Sequence, residues 1–137
     1  MDAPRIVVGY DGSDDAVRAV RWAVTEAQSR GASLDVVHTY DFPYLDRLGP
    51  TTRDELHAEA QAVADDGRRL ALDAEPDVAV TAAAVAGLPA AVLVERAVGA
   101  ALLVVGHQGA GRGHHHILGS VATRCVQHAD CSVVVVR

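Results

Sequence analysis

Leu102-Leu103-Val104-Val105-Gly106-His107-Gln108-Gly109-Ala110-Gly111-Arg112-Gly113 carries an apolar run straight into a glycine-rich loop. Four apolar residues in succession leave no polar face, as expected of a strand buried on both sides. Beyond the loop, Leu118, Val121, Ala122, Cys125 and Ala129 recur at helical spacing. A second unalternated run, Ser132-Val133-Val134-Val135-Val136, follows. Strand, loop, helix and strand in that order form a βαβ unit, and such units build parallel sheets.

The same unit repeats upstream. Arg5-Ile6-Val7-Val8-Gly9-Tyr10 is a short β-branched run, and residues 14–30 place Ala16, Val20, Ala23, Val24 and Ala27 on one helical stripe. Ser13 is positioned as its N-cap, Asp14 and Asp15 suit its first turn, and Gly31 suits its end. Leu34 to Tyr40 reads as a second strand, followed by a loop containing Pro43 and Pro50. Residues 52–74 predict an amphipathic helix with Leu56, Ala60, Val63, Gly67 and Leu70 as its apolar stripe. Val78 to Val85 reads as the third strand, and a helix begins at Pro89, where proline fits the first turn. With Leu102–Gly106 and Ser132–Val136 the chain has five strands, the first four each followed by a helix. The expected fold is one α/β domain over residues 1–137, an open parallel sheet with helices on both faces.

Composition narrows the function. Half of the 137 residues are hydrophobic and 22% are charged, a globular balance that excludes disorder. A net charge of −6 argues against nucleic-acid binding. Met1-Asp2-Ala3-Pro4-Arg5 lacks the pattern of a signal peptide, and Gly87-Leu88-Pro89 interrupts the longest uncharged run, Val78 to Val94. No membrane partner is therefore expected. Cys125 and Cys131, without a CxxC pair, fit reduced thiols in the cytoplasm. Ala (25) and Val (22) make up about a third of the chain, whereas lysine is absent and all twelve basic residues are Arg. This rules out a Walker-type phosphate loop and a Schiff-base lysine. Any phosphate site must be built from backbone N–H groups, hydroxyls and Arg.

Ligands of open α/β sheets bind beyond the carboxyl ends of the strands. Two such ends look specialised: Gly9-Tyr10-Asp11-Gly12-Ser13 after strand one, and Gly106 to Gly113 after strand four, with Gly119-Ser120 opening the next helix. Glycines allow positive φ and close backbone approach. A helix N-terminus offers free N–H groups, Ser120 a hydroxyl, and Arg112 a charge-assisted contact. Together these suit a phosphate.

The spacing Gly106-x2-Gly109-x9-Gly119-Ser120 resembles the G-2x-G-9x-G-[S/T] nucleotide signature of the universal stress protein family. Val7 to Ser13 resembles the start of that family, Val37-His38-Thr39 the end of its second strand, Gly87-Leu88-Pro89 its third crossover, and Ser132–Val136 its last strand. The resemblance covers essentially the whole chain. It implies a Rossmann-like sheet of order 3-2-1-4-5, of the adenine nucleotide alpha hydrolase-like type. It also implies an ATP-binding or related adenine-nucleotide-binding regulatory protein that acts as a homodimer through residues 132–136. By position, Asp11 would lie by the ribose and phosphates, or hold their magnesium, and the backbone at Thr39 would meet adenine. Gly106, Gln108, Gly109, Gly119, Ser120 and Val121 would hold the ribose and phosphates. His107-Gln108 and His114-His115-His116 depart from the usual loop, which predicts a weaker or pH-dependent phosphate grip.

The remaining motifs carry less chemistry. Adjacent loop histidines rarely converge on one metal, so His114–His116 read as an exposed run. Cys125 falls on the apolar stripe and reads as a core thiol. Tyr40, Phe42 and Tyr44 are placed either to stack on adenine or to cover the sheet edge. No nucleophile–base pair is legible, so slow ATP hydrolysis is the most the residues allow. The competing expectations are a dimer that has lost its nucleotide and works through protein contacts, and an adenylating ATP pyrophosphatase. The latter opens with an SGGxDS-like turn, whose paired glycines Tyr10-Asp11-Gly12-Ser13-Asp14 lacks.

Overall fold

Runs of branched and small apolar residues build five strands: β1 (Arg5–Gly9), β2 (Ser33–Tyr40), β3 (Val80–Ala86), β4 (Leu102–Gly106) and β5 (Ser132–Val136). They form one parallel sheet of order β3-β2-β1-β4-β5, as the family resemblance implies. Helices α1 (Asp14–Arg30), α2 (Pro50–Ala74), α3 (Pro89–Arg96) and α4 (Ser120–His128) make the crossovers, and a single 3₁₀ turn at Leu45–Arg47 precedes α2. The structure, a computed structural model, describes residues 3–42, 44–109 and 118–137. Among these residues, no helix is long and apolar enough to cross a membrane.

Right-handed crossovers decide which face each helix covers. The chain steps from β1 to β2 to β3 in one direction, which puts α1 and α2 on one face. It then crosses back to β4 and on to β5, which puts α3 and α4 on the other. Strand residues divide by parity to match. Ile6, Val8, Leu34, Val36 and Val104 pack toward α1 and α2, while Val7, Val37, Leu103 and Val105 pack toward α3 and α4.

The helix ends follow local chemistry. Ser13 Oγ accepts from the Ala16 N–H at 3.3 Å, and Gly31 closes α1 in the left-handed conformation at φ 65°. The helix expected from residue 52 begins at Pro50, because Gly49 serves as N-cap and proline occupies the first helical position. Its buried stripe is Ala60, Ala64, Gly67 and Ala71, with Leu56, Val63 and Leu70 flanking it half-buried. Small residues thus form the contact line and let α2 lie close to the sheet. β3 starts at Val80 instead of Val78, because the Val78 N–H closes a turn onto the Glu75 carbonyl at 3.3 Å. Leu118, expected on the α4 stripe, precedes that helix and is exposed.

The two sheet edges are treated differently. In β3 the even-numbered residues turn their backbone groups away from β2, and α2 covers them. Arg68 Nε donates to the Val80 carbonyl at 2.9 Å. The Gln61 amide donates to the Ala82 carbonyl and accepts from the Ala84 N–H, both at 3.2 Å. At the other edge, β4 already binds the even row of β5, and the His107 N–H takes the Val136 carbonyl at 2.7 Å. The odd row, Val133 and Val135, faces outward, and no described side chain caps it.

Candidate functional site

β1 and β4 are neighbours whose crossovers leave on opposite faces, so a crevice opens beyond their carboxyl ends. Its first part is a cleft of about 160 Å³ walled by Tyr10, Asp11, Val37, Thr39, Leu93 and Val105, with Gly106, Gln108, Gly109 and Val121. An adjoining hollow of about 250 Å³ runs on under the start of α4, between Asp11, Gly106, His107, Gln108, Gly109, Gly119, Ser120 and Val121. The first part is floored mainly by apolar side chains, and the second by backbone and polar groups. Together they reach the size of small-molecule sites, roughly 300 to 1,000 Å³. A hollow of about 540 Å³ runs beside α3 from Arg5 and Arg96 to Val85 and Val92, and one of about 760 Å³ lies around Arg5, Ser33 and Val78 at the amino ends of the strands. That is the wrong end of a parallel sheet for its usual ligands.

All eight positions expected to hold a nucleotide, Asp11, Thr39, Gly106, Gln108, Gly109, Gly119, Ser120 and Val121, line one or both parts of this crevice. The glycines of the signature are explained by close approach and not by positive φ. A Cβ at Gly106 would lie 3.0 Å from the Asp15 backbone carbon and 3.1 Å from the Ala16 nitrogen, in the first turn of α1. One at Gly119 would lie 3.0 Å from the His107 carbonyl oxygen, which already accepts the Gly119 N–H at 2.8 Å. One at Gly109 would meet Asp11 Oδ2 at 2.9 Å. Each glycine lets one wall of the crevice touch another.

Hydrogen bonds fix the turns. Asp11 Oδ1 accepts from the Ser13 N–H at 3.0 Å, which holds the β1–α1 turn closed. Asp15 Oδ2 accepts from the Gln108 N–H at 3.0 Å and ties the β4 loop to α1. Tyr10, buried beside the cleft, has its phenol pKa raised by burial and then by the charges of Asp66 and Asp11. The four helices begin differently. Ser13 caps α1, and α2 and α3 begin with proline, which has no N–H to satisfy. α4 begins behind Gly119, which has no side chain to cap it, so its first amides face the hollow.

Several expectations fall elsewhere. Tyr40 sends its hydroxyl to His57 Nδ1 on α2 at 3.0 Å, and Phe42 and Tyr44 are exposed, so none of the three lines the crevice. Arg112 and His114–His116 lie outside the described residues. Among the described residues, no three His, Cys, Asp or Glu side chains gather as a metal cluster. Cys125 is fully buried in the α3–α4 core, and Cys131 packs against the same core. The sequence reading missed Tyr10, Val37, Leu93 and Val105 as cleft walls. Val37 and Val105 were legible as strand ends, but nothing in the sequence aimed Leu93 of α3 at the same space. It missed Asp15 as the tie to the β4 loop as well.

Residues 3–137 match the model of the universal stress protein family. The chain is 37% identical over 134 residues to a universal stress protein of Thermus aquaticus, covering 96% of this chain and 97% of that one. It is 36% identical over 137 residues to a universal stress protein of Mycobacterium tuberculosis, covering 96% of this chain but 47% of that one. It thus spans about half the length of the mycobacterial relative. A universal stress protein solved in complex with cAMP superposes with a TM-score of 0.76 at 30% identity, over 100% of this chain and 98% of the other. The Lactobacillus plantarum UspA structure gives a TM-score of 0.76 at 28% identity, over 100% and 99%. Sheet order, the glycine contacts at the crevice and matches along the full chain agree, and the protein belongs to the universal stress protein family.

Proposed function

We propose that this chain binds an adenine nucleotide, ATP or a close relative, in the β1–β4 crevice and acts as a nucleotide-dependent regulatory protein. The observation that carries this reading is the uncapped amino end of α4, which lies over the hollow formed by Gly106, Gly109, Gly119 and Ser120. An anion is the natural occupant of such a place. The apolar cleft beside it, with Thr39 at its edge, suits a base. The 30%-identical relative solved with cAMP supports an adenine ligand. The Asp11 carboxylate lines both spaces and opposes a bare anion, so a magnesium ion held by Asp11 and the phosphates would reconcile the charges. Among the described residues the crevice holds no nucleophile–base pair, and binding, not turnover, is the proposed role.

The proposal includes a homodimer through residues 132–136. No described side chain caps the outward row of β5, while the β3 edge is covered by Gln61 and Arg68, so the β5 edge is the one proposed for strand addition. Two free thiols suit a reducing, cytoplasmic setting.

Thermal melting with millimolar ATP, ADP, AMP and cAMP, with and without magnesium, tests the ligand. A nucleotide at 100 times its Kd adds about 2.7 kcal/mol, a shift of several degrees for a chain of this size. Gly119→Glu, which puts bulk and negative charge against the His107 carbonyl, should abolish the shift. No shift with any of the four nucleotides refutes the reading. A monomer by light scattering at tens of micromolar refutes the dimer.

A further inference from the structure

Two helices per face do not cover a sheet of five strands. α3 packs against β1 and β2, and beyond it Thr81 and Ala83 of β3 line the open hollow of about 760 Å³ at the amino ends of the strands. Three of the twelve arginines, Arg5, Arg68 and Arg96, border this space. The one carboxylate beside them, among the described residues, is Asp35. Three guanidinia against one carboxylate leave a surplus of two positive charges, in a chain whose net charge is −6. Two of the guanidinia are fixed by main-chain carbonyls. Arg5 Nη1 donates to the Arg96 carbonyl at 2.9 Å and Nη2 to the Val98 carbonyl at 3.0 Å, while Arg68 Nε donates to the Val80 carbonyl at 2.9 Å. A guanidinium has five N–H donors, so most of them stay available. Among the described residues none of the three arginines forms an ion pair, and the Arg96 side chain makes no hydrogen bond. Asp35 accepts the Thr81 hydroxyl at 3.0 Å instead.

The spread of these charges selects the ligand. β2 separates β1 from β3, and neighbouring strands lie about 4.8 Å apart, so the side of the hollow carrying Arg5 stands about 10 Å from the Arg68–Val80 bond. One phosphate or carboxylate cannot span that gap. Acidic side chains along an extended peptide, which rises about 3.3 Å per residue, can meet both sides. We propose that this hollow docks an acidic segment of a partner protein, held extended across the amino ends of β1, β2 and β3 with its carboxylates on Arg5, Arg68 and Arg96. The crevice lies at the other end of the sheet, so docking leaves it open. Complementary charge on an exposed rim gives selectivity for acidic partners and a strong dependence on salt.

Fluorescence anisotropy with a labelled octapeptide of alternating Glu and Ala tests the site, with the matching Gln and Ala peptide as control. The wild-type chain should bind the Glu peptide, increasingly weakly as salt rises, and ignore the Gln peptide. Arg96→Glu turns an attraction into a repulsion and should weaken binding roughly tenfold. Arg96→Ala should fall between that variant and the wild type, and it carries the test if circular dichroism shows Arg96→Glu unfolded. Arg21→Glu makes the same change in net charge on the exposed side of α1, across the sheet, and should leave binding within about twofold. A wild-type chain that does not bind the Glu peptide refutes the proposal. So does an Arg96→Ala variant that binds as tightly as the wild type. An equal loss in Arg21→Glu would show that net charge alone governs the affinity, and would refute the site. Inorganic phosphate that displaces the peptide at millimolar concentration, against chloride of equal ionic strength, would make it a small-anion site and overturn the peptide reading. Wild-type self-association in light scattering that Arg96→Glu abolishes would assign the hollow to a second copy of the chain and overturn it as well.

Discussion

Gly67 lies in the middle of α2, where intrinsic propensity favours alanine over glycine by about 1 kcal/mol. From that rule alone Gly67→Ala would stabilise the protein, but the packing of α2 predicts the opposite. A Cβ at position 67 would lie 2.8 Å from Val36 Cγ1 and 2.9 and 3.0 Å from two carbons of the Tyr10 ring. Non-bonded carbons settle at roughly 3.5 to 4.0 Å, so close to 1 Å of clearance is missing on two sides. Val36 is fully buried, and its branched side chain has little rotamer freedom. The helix must lift or the pair must repack. Overpacking of this kind costs roughly 1 to 3 kcal/mol, which leaves a net loss of about 1 kcal/mol after the helix gain. The melting temperature should fall by roughly 3 to 5 °C. Urea unfolding of the wild type, Gly67→Ala, Val36→Ala and the double variant reads the result. Val36→Ala removes the nearest atom, so Gly67→Ala should cost distinctly less in that background, a coupling on the order of 0.5 to 1 kcal/mol. A Gly67→Ala variant as stable as the wild type, or strictly additive effects, would refute the reasoning.

Two further predictions concern the sheet edge and the core thiol. Gln61→Ala strips two hydrogen bonds from the β3 edge and exposes Ala82 and Ala84 as a pairing template. It should cost about 1 kcal/mol and raise concentration-dependent association in light scattering, and unchanged association would count against the capping role. Burial, and then the neighbouring Cys131, lift the Cys125 thiol from 9.0 to about 11. Its protonated form is thus favoured in the folded state, so the stability it contributes is present below pH 9 and is lost as pH rises from about 9 to about 11. The raised phenol of Tyr10 acts in the same direction. Urea midpoints should fall across that window by the equivalent of up to about 2 kcal/mol, and Cys125→Ala should flatten the fall. An equally steep fall in that variant would show that Cys125 is not its cause.

Much of the candidate site was legible because its parts are local. The turn Asp11-Gly12-Ser13 and the helix start Gly119-Ser120 are short segments whose chemistry is fixed by residue type. The reason for each glycine was not legible. Gly106, Gly109 and Gly119 invited an argument from positive φ or from close approach to a ligand, whereas the partners that require them, Asp15, Asp11 and His107, are groups of the protein itself in other segments. The α2 stripe shows the same limit. Periodicity gave Leu56, Ala60, Val63, Gly67 and Leu70, of which Ala60 and Gly67 lie on the buried line with Ala64 and Ala71 while the larger three flank it, because the helix lies too close to β2 for anything bigger.

By itself the sequence determined the element order, the burial of β1 and β4 on both faces (β5, expected to match them, is only half-buried at the sheet edge), the absence of a lysine-based phosphate loop and the family. These follow from residue type and from 2.0 and 3.6 periodicities that each segment carries alone. The tertiary structure decided which segments meet: α1 against the end of β4, Leu93 beneath Gly9, the His107 carbonyl on the Gly119 N–H, and Gln61 along the β3 edge. Contacts between segments far apart in the chain depend on sheet order and crossover hand, and no single segment encodes either.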